Sequence, residues 1–190
     1  MKKTLALVLC AMLAISLSAC SSNPPTDTSA APPANTTAAT TTAPTASDAM
    51  PVAEFGVMQP FGDWEITVNS AEFVDEIAAS SFTTYKADEG NQYVVVNMTA
   101  KNVGTSADTL IKMFSLPGDA SAKIVYDDVY EFAGSTLLGH SDDLHGSQTN
   151  PLSEKTGILV FSVSGEAIES DKDLVFQLKQ GKNLLTYSLR

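Results

Sequence analysis

Residues 92–103 restrict the fold more than any other stretch of the chain. Val94, Val96, Met98 and Ala100 alternate with Asn97, Thr99 and Lys101. A period of two sorts these side chains onto the two faces of a strand, whereas a helix would scatter them around its circumference. The turn signal Asp88-Glu89-Gly90-Asn91 opens the run, and Asn102-Val103-Gly104-Thr105 closes it. Residues 65–73 begin with the same period, Ile66 and Val68 opposite Glu65, Thr67 and Asn69. Ala71 and Phe73 then fall out of phase, which predicts a β-bulge near Asn69-Ser70. Leu159, Phe161 and Val163 within residues 156–164 form another strand face, and Leu174, Phe176 and Leu178 form the next. Gln180-Gly181-Lys182-Asn183 predicts a hairpin turn into residues 184–189. Weaker patterns predict strands at residues 109–116 and 122–126, and one short helical turn at 75–81. Seven or so strands without a long helical pattern predict an all-β fold, an immunoglobulin-like antiparallel β-sandwich.

That sandwich must stand without disulfides. The chain has two cysteines, Cys10 and Cys20, and both precede the predicted domain. Trp64 also lies too early for the Cys-Trp-Cys pattern of antibody domains, so only the architecture is inferred. Cys10 lies inside a leader, and Cys20 directly follows it. Lys2 and Lys3 form a positive n-region, residues 5–17 an apolar run, and Ser18-Ala19 a small-residue cleavage site. The apolar run is shorter than the ~20 residues of a permanent membrane span. Leu17-Ser18-Ala19-Cys20 resembles the lipobox of bacterial lipoproteins. The resemblance implies a signal peptide over residues 1–19, diacylglycerol on the Cys20 sulfur, commonly a further acyl group such as palmitate on the new amino terminus, and an extracytoplasmic, lipid-anchored location.

Residues 20–53 are almost wholly Ser, Thr, Ala, Pro and Asn, with Asp27 and Asp48 as the only charges. Such a tract has too little apolar bulk to offset an ordering cost of ~1–2 kcal/mol per residue, and is read as a disordered tether. It would reach on the order of 100 Å fully extended and about 30 Å as a coil. Its Thr/Pro content also suits sugar attachment. The folded domain is assigned to residues 54–190. Loss of Lys2 and Lys3 with the leader would leave nine basic residues against 22 acidic ones, a formal charge near −13. Phosphate backbones repel such a chain, so nucleic acid is not an expected partner.

Glu89-Gly90-Asn91-Gln92-Tyr93-Val94-Val95-Val96-Asn97-Met98-Thr99-Ala100-Lys101-Asn102-Val103-Gly104 resembles the central signature of a family of extracellular immunoglobulin-like domains. These domains of unknown function are found on Gram-positive lipoproteins and grouped with mycobacterial immunoprotective extracellular antigens. Gly62-Asp63-Trp64-Glu65-Ile66-Thr67-Val68 is similar to the family's first strand, Met113-Phe114-Ser115-Leu116 to its central phenylalanine strand, and Thr156-Gly157-Ile158-Leu159-Val160-Phe161-Ser162-Val163 to its late strand. A Pro-Gly pair common before the late strand is replaced by Asn150-Pro151-Leu152-Ser153-Glu154. The resemblance implies a sandwich fold and an extracytoplasmic location. It carries over no catalytic residue.

Chemistry-bearing motifs are sparse. His140, Asp142 and His145 form the one candidate metal cluster. Histidines five apart share neither a helix face nor a strand face, so only a loop can converge them, and a solvated loop is the simpler expectation. Ser141, His140 and Asp142 lack the geometry of a catalytic relay. Asp127 and Asp128, with Glu131 nearby, suit either a solvated turn or an acid–base pair; the calcium-loop pattern is absent. The aromatics Phe55, Phe61, Trp64, Tyr85, Tyr93, Tyr126, Tyr130, Phe161 and Tyr187 are mostly assigned to packing, with a sugar- or peptide-binding face as the alternative for some of them. No cofactor is expected. The preferred function is a non-enzymatic surface module that offers loops or a sheet edge to a protein or peptide. The alternative is an envelope hydrolase drawing on Asp127, Asp128, Asp142 or Asp143; a weak metal-binding lipoprotein comes third.

Overall fold

The computed structural model describes residues 52–190. The leader, Cys20 and the tether up to residue 51 lie outside the described residues. Twelve strands and one short helix make an antiparallel β-sandwich.

One layer contains β1 (Gln59–Phe61), β2 (Trp64–Val74), β5 (Asn91–Asn102) and β10 (Glu154–Ser164), hydrogen-bonded in that order. The other contains β7 (Ser121–Tyr126), β11 (Leu174–Gln180) and β12 (Asn183–Ser188). A single strand, β8 (Tyr130–Ser135), belongs to both. Its first four residues pair with β7, and Gly134 and Ser135 pair with Phe161 and Val160 of β10. The strand therefore turns the corner between the layers.

The alternation read from the sequence fills the interior. Val94, Val96 and Met98 from β5 and Leu159, Phe161 and Val163 from β10 are fully buried against Phe176, Leu178 and Tyr187. The Phe161 and Phe176 rings meet edge-on at 5.8 Å. A fully buried Leu or Phe contributes about 1.5–3 kcal/mol, so this layer contact is a main source of stability. The predicted bulge is present, with the β2–β5 register shifting between Val68 and Ser70. The extra residue returns Ala71 to the core side opposite Val96, while Asn69 hydrogen-bonds Asn97 and Thr99 outside.

Two expectations fail. Residues 75–81 hold no helical turn. Glu76–Ser80 is a strand, β3, paired with β4 (Thr83–Lys86) in a hairpin over the outer face of the first layer. The reason is a second, smaller core. Tyr93, Val95, Ile158 and Val160 are apolar on that outer face, where a two-layer sandwich would be polar, and Ile77 and Leu137 cover them. Nor do residues 109–116 form a strand. Only Asp108–Thr109 pairs, as β6, with β9 (Gln148–Thr149). Asp119 accepts hydrogen bonds from Lys112 Nζ at 2.6 Å and from the Leu116 N–H at 2.8 Å, closing residues 112–119 into a loop. Met113, Phe114 and Leu116 consequently face solvent rather than lining a phenylalanine strand. The helix α1 (Gly165–Glu169) and β8 were not anticipated.

The two ends of the sandwich are distinct. Strand registers place Asn91, Ser164, Tyr126 and Leu174 at one end, and Asn102, Glu154 and Trp64 at the other. At the Asn102 end, the side chain of Asn102 is buried and fully bonded. It donates to the carbonyls of Ser106 and Thr149, both at 2.9 Å, and accepts from the Gly104 N–H. Val52 bridges Thr186 in parallel, and the Ala53 N–H donates to the Thr186 carbonyl. Gly56 then donates to Val68 of β2, so residues 52–57 strap β12 of one layer to β2 of the other.

Candidate functional site

The four aspartates singled out in the sequence fall at opposite ends of β8. Asp127 and Asp128 make the turn that precedes it, and Asp142 and Asp143 lie in the 136–147 loop that follows it. Six residues of strand separate them, on the order of 20 Å. They share no cleft.

The 136–147 loop is wired into the fold. Beyond Phe161 and Val160, where β8 leaves the sheet, this loop takes over the edge of β10. Ile158 N–H donates to the Asp142 carbonyl at 2.7 Å, and Leu144 N–H donates back to Ile158 at 3.1 Å. Gly157 makes this approach possible, because a Cβ there would sit 2.2 Å from the Asp142 oxygen. Asp143 is 8% exposed and completely engaged. One oxygen accepts from the Leu137 N–H at 2.7 Å; the other accepts from the His145 N–H at 2.9 Å and lies 2.8 Å from His145 Nδ1. Burial alone would push the Asp143 carboxyl up. The hydrogen bond to the His145 ring, the two N–H donors and the His145 charge outweigh it and hold the group below its ordinary value. The far side of the His145 ring rests on Gly134, at the corner of β8. His140 Nδ1 instead accepts from the Asp142 N–H at 3.2 Å. Among the described residues, no group of three His, Cys, Asp or Glu side chains is placed to hold a metal ion.

The turn at Asp127-Asp128 opens onto a cleft. Val129 N–H donates to the Tyr126 carbonyl at 3.1 Å, and both aspartates have positive φ, 53° and 55°. Residues 127–129 thus form a three-residue hairpin loop whose two positive-φ positions hold neither glycine nor asparagine. It sets Tyr126 directly across from Tyr130, with the rings stacked at 5.9 Å and an interplanar angle of 28°. Tyr126 is 9% exposed and its hydroxyl bonds Ser170 Oγ at 2.9 Å; Tyr130 is 58% exposed. Phe132, Ser164, Glu166, Asp127 and Lys172 complete a cleft of about 340 Å³. The Lys172 ammonium is bonded to the Asp127 carboxylate, which raises its pKa above the ordinary value. Arg190 pins the carboxyl terminus beneath this rim, donating to the carbonyls of Ala167, Ile168 and Lys172. The rim thus joins the β7–β8 turn, α1 and the segment before β11 into one fixed frame.

Strand periodicity does not reveal this cleft. The available signal was the spacing Tyr126-Asp127-Asp128-Val129-Tyr130: across a tight turn, residues four apart become cross-strand partners on one face.

No family model matches the chain, and no curated protein matches it. Solved structures do. An uncharacterized β-sandwich protein of Clostridium difficile 630 superposes with a TM-score of 0.56 at 21% identity, over 72% of this chain and 92% of that one. A conserved hypothetical protein of Bacillus anthracis superposes at 0.50 with 12% identity, over 71% and 93%. The Bacillus subtilis protein ycdA superposes at 0.48 with 14% identity, over 71% of this chain and 38% of that one. The first two share the β-sandwich fold of this chain.

Proposed function

We propose that this protein is an extracytoplasmic lipoprotein, anchored through Cys20, that presents a non-enzymatic immunoglobulin-like binding domain, with the Tyr126–Tyr130 cleft as its binding site. The leader layout around Leu17-Ser18-Ala19-Cys20 supports the anchor. The resemblance of residues 89–104 to the immunoprotective extracellular antigen-like family supports the same setting. The observation that carries the binding reading is the cleft itself: a half-apolar concavity with an exposed aromatic face and a few fixed polar groups, which is the composition of ligand sites. The Asp127–Asp128 and Asp142–Asp143 pairs lie at opposite ends of β8, which favours a binding role over a hydrolase built on a dyad between them.

Two experiments test it. Metabolic labelling with a clickable fatty acid should mark the wild-type protein and not Cys20→Ala; equal labelling would refute the anchor. A photo-crosslinking residue at position 130 should capture a partner on intact cells that the same residue at position 123, on the outer face of β7, does not. Identical capture from both positions would refute the cleft as the site.

A further inference from the structure

We propose that the Tyr126–Tyr130 cleft takes a basic side chain, a primary ammonium or a guanidinium borne on a peptide. This rests on the reading of the cleft as the binding site and adds the chemistry of its occupant.

Charge is distributed along the sandwich with a clear polarity. Asp75, Asp88, Glu89, Asp128, Glu166 and Asp173 all fall at the Asn91 end, where the cleft lies. The cations at that end are committed, Lys86 to Glu76, Lys172 to Asp127 and Arg190 to backbone carbonyls. Lys101, Lys112, Lys155, Lys179 and Lys182 lie toward the Asn102 end. The cleft therefore sits in a negative field that gathers cations and repels anions.

The cleft wall suits the same class. Tyr126 backs one face of the Tyr130 ring, and Tyr130 remains 58% exposed. An electron-rich ring face beside carboxylates is the arrangement that holds ammonium and guanidinium groups. Glu166 is exposed at the opposite rim and supplies a charge partner. Lys172 is an internal instance of the proposed occupant, since its ammonium already rests on Asp127 within the cleft. An incoming cation competes with it. Removing Lys172 should therefore strengthen the binding of a cation and weaken that of an anion, which makes this residue the discriminating one.

The test uses the full chain in detergent and fluorescence anisotropy of two labelled hexapeptides, one of alternating Lys and Gly and one of alternating Glu and Gly. The Lys peptide should bind and the Glu peptide should not. Tyr130→Ala should weaken binding about tenfold, while Tyr130→Phe, which keeps the ring face, should retain it. Lys172→Gln should tighten the Lys peptide severalfold. Weaker binding by Lys172→Gln, or an unchanged affinity in Tyr130→Ala, would overturn the proposal, the second result marking diffuse charge attraction only. Failure of the Lys peptide to bind would also overturn it. A chitin tetrasaccharide is titrated in parallel: if it binds and Tyr130→Ala abolishes that binding, the basic occupant is wrong and the cleft still stands as the site.

Discussion

Asp143 and Asp127 each hold a basic partner, and the settings of the two pairs are opposite. Asp143 and His145 are nearly sealed, with side chains 8% and 9% exposed, and every oxygen of the carboxylate is bonded. Asp127 and Lys172 are open to water, with side chains 38% and 57% exposed, at the lip of a cleft. A buried, satisfied pair gives a loop one geometry, and breaking it strands a charge. An exposed pair contributes little to stability because water screens it, and can be exchanged for a ligand at small cost. The first pair builds the corner at Gly134; the second leaves the lip of the cleft open to water.

Substitutions that widen this contrast rank from the loop outward. Gly157→Val should be most damaging. Its side chain would meet the Asp142 carbonyl and Leu144, expelling the loop from β10, at a cost of about 3 kcal/mol or more in urea unfolding. A loss below about 1 kcal/mol would mean that the loop is not integral to the sheet. Asp143→Ala should cost about 3 kcal/mol by leaving the Leu137 and His145 N–H groups unpaired. Asp143 also sets a pH signature. Its folded pKa lies below the unfolded value of ~3.9, so its stabilisation is complete above that value and is lost as pH falls through the folded pKa. The stability gap between wild type and Asp143→Ala should therefore shrink as pH falls below about 4; a gap that stays constant from about pH 5 to 3 would show that the charge is irrelevant.

Tyr187→Phe should move stability the other way. The Tyr187 hydroxyl is buried and has no hydrogen-bond partner among the described residues, and burial raises its pKa. Its removal should raise the unfolding free energy by about 1 kcal/mol, and destabilisation would reveal a partner for the hydroxyl. The smallest change belongs to the turn beside the open pair. Asp128→Gly relieves a positive φ and should stabilise by about 0.5 kcal/mol in a thermal melt, with Tyr126 and Tyr130 still stacked. A loss exceeding 1 kcal/mol would place Asp128 among the structural aspartates.

The strands that alternate cleanly were legible because burial on one face writes itself into a period of two. β5, β10, β11 and the β2 bulge all follow from that rule. The outer hairpin was not, because its cause is non-local: Ile77 is a strand residue only because Val160 and Val95 offer it an apolar surface. The unbroken apolar runs Tyr93-Val94-Val95-Val96 and Ile158-Leu159-Val160-Phe161 carried that information, since strands buried on both faces lose their alternation. Asp142 and Asp143 illustrate the same limit for sites. Adjacent in the chain, one is exposed and one buried, and the difference comes from Leu137 and His145, which only the folded loop brings to Asp143.

The strap at residues 52–57 has a mechanical meaning. Any pull arriving from the amino-terminal side reaches Thr186 of one layer and Val68 of the other before it reaches the core. Such a pull loads β12 first and β2 only after the Thr186 contact has given way, so two hydrogen bonds in series, on strands of opposite layers, stand between the entering chain and the hydrophobic interior.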